Sequence, residues 1–142
     1  MIIPPIPPII ATLQGQSRQQ ALRILQRQVK GKLQVIAGLD HLDDSRRDWL
    51  PQLQLSLRYD LNDCVQQINL NAVVAQIDLY QSTQYLKPQD LLAYYRANRL
   101  PFLNLGNVIH SISEGVSFCF DRQQLHHIVW TPPSSFCATA SR

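Results

Sequence analysis

Residues 52–60, QLQLSLRYD, carry the clearest β-strand signal of this 142-residue chain. Leucine or tyrosine occupies every second position, at Leu53, Leu55, Leu57 and Tyr59, with polar side chains between them. A period of two places one face of a strand on a core and the other face in water. The stretch therefore predicts a half-buried strand.

The residues before this strand give mixed signals. Residues 32–39, KLQVIAGL, are rich in aliphatic and β-branched side chains and predict a short strand, with continuation of the preceding helix as the alternative. Residues 40–51, DHLDDSRRDWLP, place helix-start residues before the terminating Pro51 and predict one or two helical turns.

The residues after this strand repeat the alternation. Residues 69–81, NLNAVVAQIDLYQ, predict a second strand. Its inward-facing set is Val73, Ala75, Ile77 and Leu79. Between the two strands, residues 61–68, LNDCVQQI, predict either a helical turn or a wide connection.

Two segments have the spacing of amphipathic helices. In residues 17–31, SRQQALRILQRQVKG, apolar side chains recur at helical intervals, and Ser17 can cap a helix that ends near the final glycine. A second helix is predicted near residues 88–98, with Pro88 in its first turn and Pro101 as its terminator. Residues 116–130, VSFCFDRQQLHHIVW, hold two β-rich runs around a polar centre and predict a hairpin.

Together these segments predict a small single α+β domain, with the two main helices packed on one face of a mainly antiparallel sheet. We expect an extended Pro-rich arm over residues 1–13, the domain over residues 14–131, and a flexible tail over residues 132–142. The length suits one domain, and no internal repeat is evident in the sequence.

The composition favours a protein that binds other proteins. Only 16% of the residues are charged and the net charge is +3. A weakly charged surface repels other proteins less than a strongly charged one does, which favours an accessory or assembly subunit. Three cysteines without a C-x-x-C motif indicate reduced thiols and predict a cytoplasmic location. The short N-terminal apolar run does not predict a membrane span.

Catalytic signatures are absent from the sequence. It contains no G-x-S-x-G, Walker A or G-x-G-x-x-G motif, and Glu114 is its only glutamate. We therefore expect no enzyme activity, no cofactor, no metal and no small-molecule ligand.

The opening residues 1–10, MIIPPIPPII, supply the predicted contact surface. Proline disfavours helix in the preceding residue and pushes this stretch towards polyproline II, a threefold helix. Ile3, Ile6 and Ile9 then form one apolar stripe. Because exposed isoleucines are unfavourable in water, the arm must cover its own domain, a second copy or another protein.

A nucleic-acid-binding module is the first alternative function. It would use a basic stripe on the first helix together with an aromatic and basic cluster on the second helix. The stripe is Arg23, Arg27 and Lys30, and the cluster is Tyr94, Tyr95, Arg96 and Arg99. An ordinary solvated helix face needs the same charges, so nucleic acid is a partner that the sequence allows without indicating it.

A small thiol-dependent enzyme is the second alternative. If the hairpin turn consists of the three residues 122–124, Asp121 faces Leu125 and Cys119 faces His127. A thiol beside an imidazole can ionise and attack an electrophile. A turn one residue longer removes this pairing, because Cys119 then faces Ile128.

An acidic cluster near residue 40 offers oxygen and nitrogen ligands. Asp40, His41, Asp43 and Asp44 suit a divalent ion by chemistry, but no distant segment supplies an obvious further ligand. We expect instead a helix N-terminus, where carboxylates complement the exposed amides.

Overall fold

The computed structural model describes residues 8–40, 44–71 and 87–131, which form one sheet with helices at its side. The helices are α1 (Pro8–Leu13), α2 (Arg18–Gln26) and α3 (Pro88–Ala97). The strands are β1 (Ile36–Leu39), β2 (Arg46–Leu50), β3 (Leu55–Tyr59), β4 (Val65–Asn71), β5 (Phe102–Asn104), β6 (Val108–Ser111), β7 (Val116–Asp121) and β8 (Gln124–Trp130).

All eight strands join in a single antiparallel sheet with the order β1-β2-β3-β4-β8-β7-β6-β5. Each half of the sheet is a four-stranded meander that follows a helix, and the two meanders meet where β4 pairs with β8. This topology confirms the prediction of a small α+β domain built on an antiparallel sheet. The domain is richer in strand than predicted.

The two halves repeat each other in register as well as in topology. The ladder between the third and fourth strands of each half shifts at the same place, between Arg58 and Tyr59 in the first half and between Cys119 and Phe120 in the second. The expectation of no internal repeat is therefore wrong for the structure. The repeat is hard to see in the sequence because only some equivalent positions are alike, and others, such as Arg58 and Cys119, carry unrelated side chains.

The helices repeat as well. Both α2 and α3 bury their fourth and eighth residues, which are Ala21 and Leu25 in α2 and Leu91 and Tyr95 in α3. Ser17 caps α2 as predicted, because its side chain accepts a hydrogen bond from the Gln20 amide at 3.3 Å.

The core lies on one face of the sheet. A continuous row of buried side chains crosses six strands, and buried residues of all three helices belong to the same cluster. The row is Leu50, Leu55, Leu70, Ile128, Phe118 and Ile109. The row crosses β3 at Leu55, and Leu57 and Tyr59 of the same strand are also buried. The predicted strand is therefore confirmed over residues 55–59, whereas residues 52–54 form a turn.

Residues 46–50 form a strand, so the prediction of helical turns over residues 40–51 is wrong. Strand β2 lies between β1 and β3, and Asp48 faces the core. Pairing with two neighbours outweighs the local helix-start signals, because strand preference depends strongly on tertiary context.

The fourth strand begins earlier than predicted. Strand β4 starts at Val65, inside the stretch 61–68 for which the sequence predicts a turn or connection, and ends at Asn71. The predicted inward set from Val73 to Leu79 lies outside the described residues, as does the predicted tail over residues 132–142.

The predicted extended arm is wrong at its C-terminal end. Residues Pro8–Leu13 form helix α1, and Ile10 is fully buried in the core. Proline is compatible with the first helical position, where its missing N–H has no helical partner. Residues 1–7 lie outside the described part of the chain.

Candidate functional site

Strand β1 forms one edge of the sheet. It pairs with β2 on one side, and no described strand pairs with its other side. All four of its residues are exposed, including 58% of Ile36 and 68% of Leu39. Residues 33–39 carry no charge. Edge strands are normally protected by charges or proline, so this edge is open to pairing with another strand.

The backbone groups that face outward from β1 follow from its hydrogen bonds. The Asp40 N–H donates to the Ser45 carbonyl at 2.7 Å, across the hairpin towards β2. Successive residues of a strand direct their N–H and C=O groups to opposite sides. The backbone N–H and C=O groups of Ile36 and Gly38 therefore point to β2. Those of Ala37 and Leu39 point to the free edge.

Two glutamines hold the residues that lead into β1. The Gln26 side chain donates to the Gly31 carbonyl at 2.6 Å and accepts from the Leu33 N–H at 2.9 Å. The Gln52 side chain donates to the Lys32 carbonyl at 3.1 Å and accepts from the Gln34 N–H at 2.6 Å. These bonds also explain why α2 ends at Gln26 rather than near Gly31.

An open groove of about 580 Å³ runs along this lead-in and is lined by residues 32–36. The buried Leu33 anchors the segment to the core, while Ile36 stays exposed at its end. The groove and β1 together form a stretch that is exposed apart from Leu33 and Asp40, which we call the β1 edge and define as residues 32–40.

The opposite edge of the sheet is better protected. Strand β5 has three residues, follows Pro101, and exposes 48% of Leu103. Its Phe102 ring stacks on Tyr95 with centroids 5.9 Å apart, and the Arg96 guanidinium lies 5.8 Å from the Phe102 ring. A short strand beside a proline and a cation is a poor template for pairing.

The isoleucines predicted as a contact stripe are only partly described. Ile9 is half-buried against the core of its own domain. Ile3 and Ile6 lie outside the described residues. The contact role of the stripe stays a prediction, and at Ile9 the chain contacts itself.

The pairing of Cys119 with His127 is confirmed. It arises differently from the prediction, because the turn has two residues, Arg122 and Gln123, both with positive φ. The predicted pairing of Asp121 with Leu125 is wrong, since Asp121 pairs with Gln124. A bulge at His126 then restores the predicted register. Such a two-residue turn matches the twist of the strands it joins.

The surroundings of Cys119 and His127 favour their neutral forms. Burial raises the pKa of the Cys119 thiol. Burial, and to a lesser extent the nearby His126, lowers the pKa of His127. His127 Nδ1 lies 3.1 Å from Asn69 Oδ1, so this ring nitrogen is directed to an amide. A reactive thiolate requires the opposite shift at cysteine.

The basic and aromatic residues of the nucleic-acid alternative do not form the predicted arrangement. Helix α2 ends at Gln26, so Arg27 is its C-cap and Lys30 lies beyond it. Tyr95 is buried in the core and offers no face for a base. Tyr94 is half-buried against the same core, while Arg23, Arg96 and Arg99 are exposed.

The described members of the acidic cluster, Asp40 and Asp44, lie between β1 and β2 rather than at a helix N-terminus. The Asp44 N–H donates to the Asp40 carbonyl at 2.8 Å in the turn between β1 and β2. His41 and Asp43 lie outside the described residues. Across the described ranges, no three His, Cys, Asp or Glu side chains cluster as metal ligands.

A buried ionic contact was missed by sequence reasoning. Asp48 is fully buried and accepts two hydrogen bonds from Arg18, at 2.8 and 3.2 Å, and one from the Tyr59 hydroxyl at 2.6 Å. The bond to Asp48 raises the pKa of Arg18, and burial raises that of Tyr59. This contact joins α2 to β2 and β3. Alternation in RRDWL, which places Asp48 on the face of Leu50, is the signal that could have found it.

In the described part of the chain, these features define a strand-rich α+β domain whose β1 edge strand is exposed and uncharged. Comparison with protein-family models, with curated proteins and with solved structures found no match. None of the helices in the described residues is both long enough and apolar enough to cross a membrane.

Proposed function

We propose that this protein is a non-catalytic accessory or assembly subunit that acts through protein–protein contact at the β1 edge. The observation that carries the proposal is that β1 is exposed along its whole length and free of charge, with Ile36 and Leu39 largely in water. Leaving such an edge uncovered favours aggregation, and covering it with a partner strand removes that hazard.

The mechanism is the addition of a strand to the sheet. An incoming strand satisfies the outward backbone groups of Ala37 and Leu39 and continues the antiparallel ladder. Its side chains also cover Ile36 on the face away from the core and Leu39 on the core side. Burial of each of these two side chains contributes about 1–2 kcal/mol to binding.

The sequence-based proposal placed the contact at Ile3, Ile6 and Ile9. The burial of Ile10 and the half-burial of Ile9 in their own domain favour the β1 edge as the principal contact surface. Cytoplasmic location and the absence of catalysis remain parts of the proposal.

The test uses a tagged full-length chain in its native host. Ile36→Lys places a charge on the β1 edge, and Leu103→Lys places the same charge at the equivalent position of the β5 edge. Ile36 lies opposite Trp49 in the first half, and Leu103 lies opposite His110 in the second half. The two positions correspond because Trp49 and His110 are equivalent residues of the two halves. The native mass of the complex that contains the chain is measured for each variant, with the components identified by mass spectrometry.

We expect wild type and Leu103→Lys to run in an assembly larger than the 16.2 kDa chain, and Ile36→Lys to be lost from it. An assembly of unchanged mass and composition with Ile36→Lys contradicts the proposal. So does a wild-type chain that runs alone.

A further inference from the structure

We infer that the partner of the β1 edge is an extended segment of another protein, in which apolar residues are followed by Asp or Glu. This inference rests on the proposed function and names the chemistry of its partner. Three features of the edge support it: the backbone groups that β1 leaves free, the apolar side chains beside them, and unbalanced positive charge at one end.

The backbone groups that a partner strand needs are available over residues 35–39. The N–H and C=O groups of Val35, Ala37 and Leu39 point away from β2, and no described strand pairs with this side of β1. The available stretch ends at Leu33, because its N–H already donates to the Gln26 side chain at 2.9 Å. A short partner strand therefore fits beside residues 35–39 and extends the sheet by one strand.

The N-terminal end of this stretch carries unbalanced positive charge. Residues 1–39 contain no Asp or Glu. Three exposed cations lie between the end of α2 and the start of β1, and in the described part of the chain no acidic side chain forms an ion pair with any of them. They are Arg27, Lys30 and Lys32.

The fold holds these cations beside the edge. Two hydrogen bonds of the Gln26 side chain keep the end of α2 against the residues that lead into β1. Arg27 follows Gln26 directly. Lys30 and Lys32 flank Gly31, whose carbonyl accepts one of these two bonds at 2.6 Å. The positive charge is therefore concentrated where the free stretch begins.

The cations at the other end of the edge are balanced. Arg47 lies 3.8 Å from the Asp40 carboxylate, and Arg46 lies 3.1 Å from that of Asp63. Because the whole sheet is antiparallel, a strand that continues it places its C-terminal end beside the unbalanced cations. Carboxylates that follow the apolar residues of the partner strand are then attracted to them.

The middle of the edge selects apolar residues in the partner. Residues 33–39 are uncharged, and Ile36 and Leu39 are 58% and 68% exposed. Ile36 points to the same face as Trp49, away from the core, and Leu39 points to the core side. Apolar partner side chains on both faces of the added strand cover them, whereas a charged side chain there loses hydration without gaining an opposite charge.

The first test selects ligands from a displayed library of random short peptides, with the purified full-length chain as bait. We expect the selected peptides to carry an apolar run followed by Asp or Glu, and few Lys or Arg. Selection on Ile36→Lys or on Ala37→Pro should not enrich these sequences. Because the Ala37 N–H points to the free edge, proline there removes a bond to the partner and leaves the β1–β2 ladder intact. Circular dichroism verifies the fold of each variant.

The second test exchanges the charges. The dissociation constant of a selected peptide is measured for wild type and for the double variant Lys30→Glu, Lys32→Glu. The double variant should bind about tenfold more weakly, because two attractive contacts become repulsive. A peptide with Lys in place of its acidic residues should bind the double variant better than wild type. Arg99→Glu reverses an exposed cation that follows α3 and is the matched control, so it should bind the acidic peptide like wild type.

The host assembly separates this inference from the proposed function. We expect the double variant Lys30→Glu, Lys32→Glu to be lost from the assembly, as Ile36→Lys is. An assembly that loses Ile36→Lys but keeps the double variant overturns the inference and leaves the proposed function standing. An assembly indifferent to Ile36→Lys overturns the proposed function itself.

Other results also overturn the inference. One is a selection that enriches no peptides, or peptides without an excess of acidic residues. Another is a purified chain whose dimer is lost with Ile36→Lys, which assigns the edge to a second copy. A third is tight binding of a single-stranded oligonucleotide that is lost with Lys30→Glu, Lys32→Glu, which assigns the cations to nucleic acid.

Discussion

Asp48 and Ile109 occupy equivalent positions in the two halves of the sheet, and both are fully buried. Their neighbours on the next strand also correspond, with Tyr59 in the first half and Phe120 in the second. The first half thus binds its helix through an ion pair, with Arg18 as the cation, where the second half has aliphatic and aromatic side chains.

This relationship predicts a non-additive pair of substitutions. Asp48→Ile should destabilise the fold by about 3 kcal/mol, because Arg18 and the Tyr59 hydroxyl lose their acceptor. Tyr59→Phe added to Asp48→Ile should recover part of that loss, since the pair then matches Ile109 and Phe120. The free energy of unfolding in urea, measured for both single variants and the double variant, checks this. Strictly additive effects would contradict it.

The stability of the fold should fall below pH 6.5 partly because of His127. Folding lowers the pKa of His127 from its ordinary value of 6.5. Well above pH 6.5 the imidazole is neutral in both the folded and the unfolded chain, so it does not change the free energy of unfolding there. As the pH falls through 6.5, unfolded His127 takes up a proton that the folded form does not, and stability decreases until the lowered folded pKa is passed.

Substitution of this histidine tests the assignment. His127→Gln installs the residue type found at the equivalent position Gln67 and should flatten the stability profile between pH 7 and pH 5. His126→Gln should keep most of the slope, because burial is the larger cause of the His127 shift. Urea midpoints across this range are the measurement. Equal slopes for wild type and His127→Gln would assign the effect to another group.

Cys119 should react slowly with alkylating reagents near neutral pH. Burial raises its pKa, so little thiolate is present, and the rate should climb as the pH rises. The measurement is iodoacetamide labelling of a Cys64→Ser, Cys137→Ser variant, folded and in urea, followed by mass spectrometry. Labelling of the folded chain faster than the unfolded chain at pH 7 would instead support the thiol-dependent enzyme.

Removal of residues 2–10 should lower the stability and solubility of the chain, because it deletes the buried Ile10 and opens the core. Within the full-length chain, Ile10→Ala should cost about 2–5 kcal/mol, and Ile9→Ala less, since Ile9 is only half-buried. Thermal and urea unfolding check both variants. Equal effects of the two substitutions would show that α1 does not pack on the core as described.

Local sequence patterns predicted the elements in which the spacing of apolar residues matches the side chains that the structure buries. Residues 55–59 of the alternating stretch form β3, and the capped or proline-started helices α2 and α3 begin where their first-turn residues indicated. The pairing of Cys119 with His127 agrees with the prediction as well, although it arises from a two-residue turn and a bulge instead of the predicted three-residue turn. In these segments the apolar periodicity and the capping or turn residues lie within a few positions of one another. The local sequence is therefore enough to predict the element.

Long-range pairing decided the remainder. Residues 46–50 follow the helix-start signals of residues 43–45, yet they form a strand between β1 and β3, where Arg18 stabilises Asp48. The repeat of the two halves rests on shared registers, and only some of the equivalent residues are alike. Whether β1 has one neighbour or two depends on the order of strands far apart in the chain. The free edge at Ile36, and with it the proposed contact, could therefore be found only once the sheet was assembled.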